Sequence, residues 1–460
     1  MPTFEHHGAE VWDVHCKVVD HFGDAGVVLR LARRLCVEFG YVCRVFIDQP
    51  EVLIKLAGAR VDGNPCSSLS SDPIEWKRQP FWSDEHGIEV WHDTCFESGC
   101  LDFDLISLPA PYKAQWPRVV IETFGCGVPE IAQALWEQHP YPPFWLNVDY
   151  LSAELWVGGS HGLASYKTSI LRYKPEWRLS DAGSFNALRM YWFFPGFRDD
   201  TGGLIRERWL DDRLALSFEQ LDALRIETLG DKSQRTAREQ RLLYLFCYDD
   251  EPMVEALDGL GLGRGEAAWK ILLPEGVGPT LRGALININQ CEVVTVPFVP
   301  QRSFDAAIAG CDLLVVRGED SFVRAQWAAT PMLWHIYEQH DQAHWVKLEH
   351  YWTLWAQVVG TRLSVEDLAP ILGYVVRFYR GLYGELAAQS LLSALVNVQV
   401  LSEFQCSPSD AHCLMTHMQY ELSDELLETW REACCVWRAY LMKQPDLVTQ
   451  LIAFVGKLAE

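Results

Sequence analysis

Leu313-Leu314-Val315-Val316-Arg317-Gly318-Glu319-Asp320-Ser321-Phe322-Val323-Arg324-Ala325-Gln326-Trp327-Ala328-Ala329 is the stretch on which the fold turns. Its four leading apolar residues read as a buried strand, and Ser321–Ala329 reads as a helix. Between them lies a short polar turn. A strand, a tight turn and a helix in that order place anion-binding groups at the helix start. The first N–H groups of a helix have no partner within it, and the positive end of the dipole points the same way. Ser321 is read as the N-cap. Arg317 adds a fixed cation, and Glu319 and Asp320 add two carboxylates. Such a turn suits a diphosphate beside a reacting centre, although charged turns of this kind also occur in α/β proteins without any site.

The same alternation extends outward from this stretch in both directions. Leu242–Tyr248, Trp269–Leu273 and Val293–Val296 read as strands, with a helix over Glu251–Leu260. Nearer the N-terminus, Trp12–Val19, Val42–Ile47, Val119–Ile121 and Pro143–Val148 read as strands. Helices are expected over Ala25–Phe39 and Pro129–Glu137. Strands alternating with helices imply parallel sheets covered on both faces. The charge-dense run from Asp199 to Arg241 reads as a connection between two such units. After residue 350 the chain is mostly helical, best patterned over Phe378–Leu395 and Asp424–Lys443.

Composition narrows the function. The 460 residues suffice for two ordinary domains, and 49% hydrophobic with 12% aromatic residues supply large cores. A net charge of −23 argues against nucleic acid or an anionic membrane as partner. No run of eighteen apolar residues is present, and Met1–His7 lacks a basic region and an apolar core, so neither a membrane span nor a secretory signal is expected. The cytoplasm is the expected compartment. The 14 cysteines are scattered without a CxxC pair, and the Cys95–Cys100 spacing fits no usual metal pattern. They read as reduced core residues. Adjacent pairs such as Asp249-Asp250 are not Asp-x-Asp, and the one alternating pair, Asp102-Phe103-Asp104, falls in the first domain. His340 and His344 have i,i+4 spacing, but exposed or hydrogen-bonded histidines are the commoner outcome. No metal site is expected.

Several stretches together carry a resemblance. Besides Arg317–Gln326 they are Val18-Val19-Asp20-His21-Phe22-Gly23-Asp24-Ala25-Gly26-Val27 with Arg30-Leu31-Ala32-Arg33, then Val120–Gly125, Trp145-Leu146-Asn147 and Tyr150–Glu154. Phe194–Phe197 with Gly202–Glu207, Pro297–Gln301 and Trp334–Tyr337 complete the set. In this order they resemble the elongation factor P arginine rhamnosyltransferases, a small family of bacterial glycosyltransferases. The resemblance runs from about residue 12 to 350. Lys174–Phe185 looks like an insertion against the family pattern. Trp327–Pro331 and Glu338-Gln339 also depart from it.

The resemblance implies a GT-B fold, with two Rossmann-like α/β domains facing an interdomain cleft. The expected bounds are 1–235 for the acceptor domain, 236–440 for the nucleotide-sugar domain and 441–460 for a C-terminal helix crossing back to the first. It implies an inverting enzyme that moves rhamnose from dTDP-β-L-rhamnose to an arginine of elongation factor P. That modification would activate the factor for ribosomes stalled at polyproline. The reaction is expected to be metal-independent and to need no cofactor. Two other readings stay open: a GT-B transferase with another sugar or acceptor, and a non-catalytic protein that binds a translation factor.

The donor side is expected to comprise Phe246, Tyr248, Phe298, Gln301, Arg317, Asp320, Ser321 and Tyr337. Phe298 is implied to stack on the base, a role the residue type alone does not separate from a core aromatic. The acceptor side falls to Asp20, as general base or guanidinium-orienting carboxylate, with Asp24 supporting. A carboxylate can take a guanidinium through two parallel N–H···O bonds and align one nitrogen for attack. Asp24 reads equally as the N-cap of the helix Ala25–Phe39. Glu319 would orient the sugar or stabilise developing charge.

Overall fold

The computed structural model describes residues 9–58, 80, 82–83, 86–96, 110–167, 188–237, 239–248, 252–262, 268–277, 279–285, 291–338, 343–398 and 422–460. Cys100, Asp102-Phe103-Asp104, the segment Lys174–Phe185, Asp249-Asp250 and His340 lie outside these residues. The chain divides into two compact units. The first comprises Met1–Leu151, Leu155–Glu207 and Pro445–Glu460; the second comprises Ser152–Glu154 and Arg208–Gln444. The segment from Arg208 to residue 235 thus groups with the second unit, and the last sixteen residues with the first.

The first unit holds β1 (Val11–Cys16), β2 (Val42–Ile47), β3 (Trp82–Ser83), β4 (Ile88–His92), β5 (Val119–Thr123), β6 (Phe144–Val148), β7 (Ala164–Lys167) and β8 (Leu188–Phe193). They form one sheet in the order β3-β4-β2-β1-β5-β6-β8-β7. Only the outermost pairs, β3 with β4 and β7 with β8, are antiparallel. β1 and β2 are buried almost throughout and mostly apolar, as strands covered on both faces are, with Asp13, His15 and Arg44 the polar exceptions. One ion pair lies in this core. Arg44 meets Asp13 through two hydrogen bonds of 2.6 and 3.0 Å, with side chains 3% and 0% exposed. Burial outweighs Arg44 and raises the Asp13 carboxyl to about 6.

The second unit holds β9 (Arg241–Leu245), β10 (Trp269–Pro274), β11 (Cys291–Val296), β12 (Leu313–Arg317) and β13 (Met332–His335). All are parallel, in the order β11-β10-β9-β12-β13. This is the Rossmann order, with the chain's direction across the sheet reversing between β9 and β12. Both units are therefore α/β with predominantly parallel sheets, the fold class expected for a GT-B chain.

Helices differ from the sequence expectation in instructive places. The first begins at His21 and runs to Arg33, followed by a π-helical turn over Arg34–Glu38. Arg34, the first residue of that turn, meets Asp446, whose Oδ1 accepts from Nε at 2.9 Å and whose Oδ2 lies 2.8 Å from Nη2. Asp446 in turn caps the helix Leu447–Ala459, accepting from Val448 N–H at 3.0 Å. The charge-dense connection contains a helix, Phe218–Leu229, started by a capping box of Ser217 and Gln220. The expected Phe378–Leu395 stretch is two helices, Val365–Tyr383 and Glu385–Val396, separated by Gly384 at φ +90°. Among the described residues no helix is long and apolar enough to cross a membrane.

Candidate active site

In the second unit the opening sequence becomes β12, a turn, and the helix Asp320–Ala328. The N-cap is Glu319, not Ser321, and it makes no side-chain cap bond. Ser321 instead donates its hydroxyl to the Arg317 carbonyl. The chain turns at Gly318, whose φ of +60° suits a residue without Cβ. The Gly318 carbonyl accepts from Trp334 Nε1 at 2.9 Å. Phe322 stacks on Trp334 at 3.9 Å, and Tyr379 donates to the Trp334 carbonyl at 2.9 Å. The helix start is thus fixed by buried aromatic packing behind it.

Arg317 is the centre of this region. Its guanidinium carbon sits 5.1 Å from the Phe246 ring centroid and 4.5 Å from that of Tyr248. Both rings follow β9, and Phe246 N–H continues the ladder by donating to Val315 O at 2.9 Å. Cation–π contact with two faces orients the planar group. Tyr248 meets His335 edge-on at 4.8 Å and Tyr337 at 5.9 Å. His335 Nδ1 accepts from Tyr248 N–H at 3.3 Å. Burial, helped by the Arg317 charge, lowers the His335 pKa to about 3, so the ring is neutral. Arg317 thus has two aromatic rings and a neutral imidazole near it. Gln301 is buried and donates to Asp320 Oδ2 at 3.0 Å. Phe298 is half-buried two residues past β11. Tyr337 is 41% exposed and Glu319 is half-buried.

These residues share the carboxyl edge of one sheet: Phe246 and Tyr248 follow β9, Arg317 ends β12 and Glu319 follows it, and these two strands flank the switch point. Phe246, Tyr248, Arg317 and Tyr337 come together, as do Gln301 and Asp320. Phe298 lies just past β11, a strand three spacings or about 14 Å from β12. His335, given no role of its own in the sequence, is a packing and hydrogen-bonding partner here. Among the described residues no group of three or more His, Cys, Asp or Glu is placed to hold a metal ion.

In the first unit the switch point lies between β1 and β5. Asp20 follows β1, is 8% exposed, and precedes the helix as its N-cap residue, without a side-chain cap bond. Asp24 is not the helix cap. It lies one turn inside, and its Oδ2 accepts from both Val19 N–H and Asp20 N–H at 2.8 Å. Burial raises the Asp24 pKa, opposed by those two donors and aided by the nearby Asp48 charge. Gly23 leaves room for the Asp20 carboxylate, because a Cβ there would fall 2.9 Å from Asp20 Cγ and closer to Oδ2. Arg30 and Glu207 form a buried pair at 2.6 Å, joining two of the stretches that carried the resemblance.

Asp48 was missed in the sequence. Its Oδ1 accepts from Val18 N–H at 2.9 Å. The available signal was its position: a carboxylate directly after the apolar strand Val42–Ile47 sits at the same sheet edge as a residue just past its parallel neighbour.

The chain is similar to known proteins. Residues 12–85 and 102–456 match the family described as Elongation-Factor P (EF-P) rhamnosyltransferase EarP. A protein-arginine rhamnosyltransferase of Pseudomonas putida is 35% identical over 352 residues, covering 74% of this chain and 80% of that protein. One of Shewanella oneidensis is 32% identical over 473 residues, covering 98% of each. A solved structure described as the structural basis for EarP-mediated arginine glycosylation of translation elongation factor EF-P has 22% identity and a TM-score of 0.48, covering 97% of this chain and 99% of that one. With the family match spanning most of its length, the chain belongs to the EF-P rhamnosyltransferase family EarP.

Proposed function

We propose that the chain transfers rhamnose from dTDP-β-L-rhamnose to a guanidine nitrogen of an arginine on elongation factor P, in the cytoplasm and with inversion at the anomeric carbon. The observation that carries the donor half is Arg317. A permanent cation is held between two aromatic rings directly before a helix start, at a switch point of a parallel sheet. Together with the first N–H groups of the helix, it offers a diphosphate the positive charge that a metal supplies elsewhere. Gln301 fixes Asp320 at that helix start. Tyr337 stands exposed beside Tyr248 to meet the donor, and Phe298 lies far enough along the edge to stack on its base.

The acceptor half rests on Asp20. A guanidinium is a poor nucleophile because its charge is delocalised and its pKa exceeds about 12. A carboxylate that binds it draws the charge to one side and takes the proton as the N–C bond forms. In one displacement the nitrogen attacks the anomeric carbon, the carbon–oxygen bond to thymidine diphosphate breaks, and the proton passes to Asp20. Glu319 stabilises positive charge developing on the sugar. Asp24 acts by holding the backbone that bears Asp20.

Intact-mass spectrometry of purified elongation factor P, incubated with the protein and dTDP-rhamnose, tests this reading. One added deoxyhexose, lost when the acceptor arginine is changed to lysine and lost in Asp20→Asn, is expected. Unchanged turnover in Asp20→Asn would remove that residue from the mechanism.

A further inference from the structure

The loop Lys17–Asp20 carries Asp20 out of the sheet, and its successive backbone N–H groups at Val18, Val19 and Asp20 all end on carboxylates. Asp48 Oδ1 takes Val18 at 2.9 Å, and Asp24 Oδ2 takes Val19 and Asp20 at 2.8 Å each. The two clamps come from different elements. Asp24 belongs to the helix after the loop, whereas Asp48 directly follows β2, whose last residue Ile47 pairs with Cys16 at the end of β1. Val18 is buried, so its N–H has little access to water in place of Asp48. Charge-assisted bonds of this kind are about twice as strong as neutral ones.

We propose that Asp48 is a positioning residue for the transfer reaction: by holding Val18 N–H from the strand side, while Asp24 holds Val19 and Asp20 from the helix side, it fixes the place at which the Asp20 carboxylate meets the acceptor guanidinium. This rests on the acceptor-side reading of Asp20. Loss of one clamp leaves a loop pinned at one end only. A misplacement of about 1 Å lowers a rate by as much as about 100-fold.

The test compares Asp48→Ala, Asp48→Asn and Asp20→Asn in steady-state transfer to elongation factor P, at a temperature well below each variant's melting point. Asn keeps an oxygen that accepts from Val18 N–H and removes the charge. The expected result is a kcat about 10- to 100-fold lower in Asp48→Ala. KM for dTDP-rhamnose should stay unchanged, and most of the rate should return in Asp48→Asn. A wild-type kcat in Asp48→Ala overturns the proposal. So does an Asp48→Asn as slow as the Ala variant, since charge rather than the hydrogen bond would then be what counts. If Asp48→Ala does not fold, Asp48→Glu, which displaces the accepting oxygen by one methylene, takes its place: a slowed kcat supports the proposal and a wild-type kcat overturns it. Full activity in Asp20→Asn would instead overturn the acceptor-side reading, independently of Asp48.

Discussion

Gly23→Ala separates the geometry of Asp20 from the stability of the unit that bears it. Gly23 is the third residue of the helix His21–Arg33, and its φ lies outside the positive region, so alanine fits the backbone. Replacing glycine by alanine in a helix gains up to about 1 kcal/mol, and less near an end. For a unit of this size that is an increase of at most about 2–4 °C in melting temperature. The side chain is the obstacle. The new Cβ would lie 2.9 Å from Asp20 Cγ, whereas ordinary contact begins at 3.4 Å, so the carboxylate must retreat by about half an ångström or more. Catalytic geometry tolerates such shifts poorly, and a kcat lower by about 10- to 100-fold is expected. The assay is the initial rate of deoxyhexose addition with both substrates saturating, alongside thermal melting and donor titration. A protein as stable as wild type, binding donor normally and turning over slowly, is the predicted outcome. Wild-type kcat in Gly23→Ala would refute the claim that the Asp20 carboxylate must stay where it lies.

Three further outcomes follow from features of the two units. Arg317→Lys keeps the charge and loses the planar stack on Phe246 and Tyr248; affinity for thymidine diphosphate should fall roughly 5- to 30-fold in a binding titration, with the melting temperature unchanged. Asp305→Ala removes the carboxylate 2.7 Å from Arg324, whose side chain is 0% exposed; the second unit should lose about 3–5 kcal/mol in denaturant unfolding, as breaking a buried pair does. His15 and His335 are both held near pKa 3 by burial and are neutral when folded. An unfolded histidine takes up a proton below about pH 6.5, so stability is full above that pH and falls as pH drops towards 3, by roughly 2 kcal/mol for each ring at pH 5. Melting curves between pH 7 and 5 should show the loss, and His335→Gln should flatten it for the second unit.

The strands were legible where the chain is buried on both faces. Val42–Ile47 is a run of apolar residues broken only by Arg44, and it forms a strand with the expected bounds. Leu313–Arg317 runs one residue further because Arg317 still pairs with His335 in the parallel ladder. The antiparallel edge strands β3 and β7 were not legible, since an edge strand lies half in water and carries no continuous apolar run, and neither was β8 beside β7, whose burial is interrupted. The helix Phe218–Leu229 was hidden by its charged surface, although Ser217 and Gln220 stand at capping-box spacing. Gly384 divides the patterned stretch after Phe378, because a φ of +90° interrupts a helix regardless of the apolar period on either side. At the site, the strand–turn–helix pattern pointed to Arg317, whereas Asp20, Phe246 and Tyr248 were implied by the family resemblance. The roles of Asp24 and Asp48 depend on backbone N–H groups of a loop, and hydrogen bonding to backbone leaves no pattern in side-chain identity.

The Arg34–Asp446 pair has a consequence for the order in which the chain is finished. Synthesis delivers Asp446 more than two hundred residues after Glu207, a delay of about 10–50 s at ribosomal rates of 5–20 residues per second. During that interval Arg34 emerges with no carboxylate from residue 446 to meet it, while nearly all of the second unit is made as one uninterrupted stretch. The first unit, begun before the second, is therefore completed after it. The first unit stays without the helix Leu447–Ala459 until that stretch has been made.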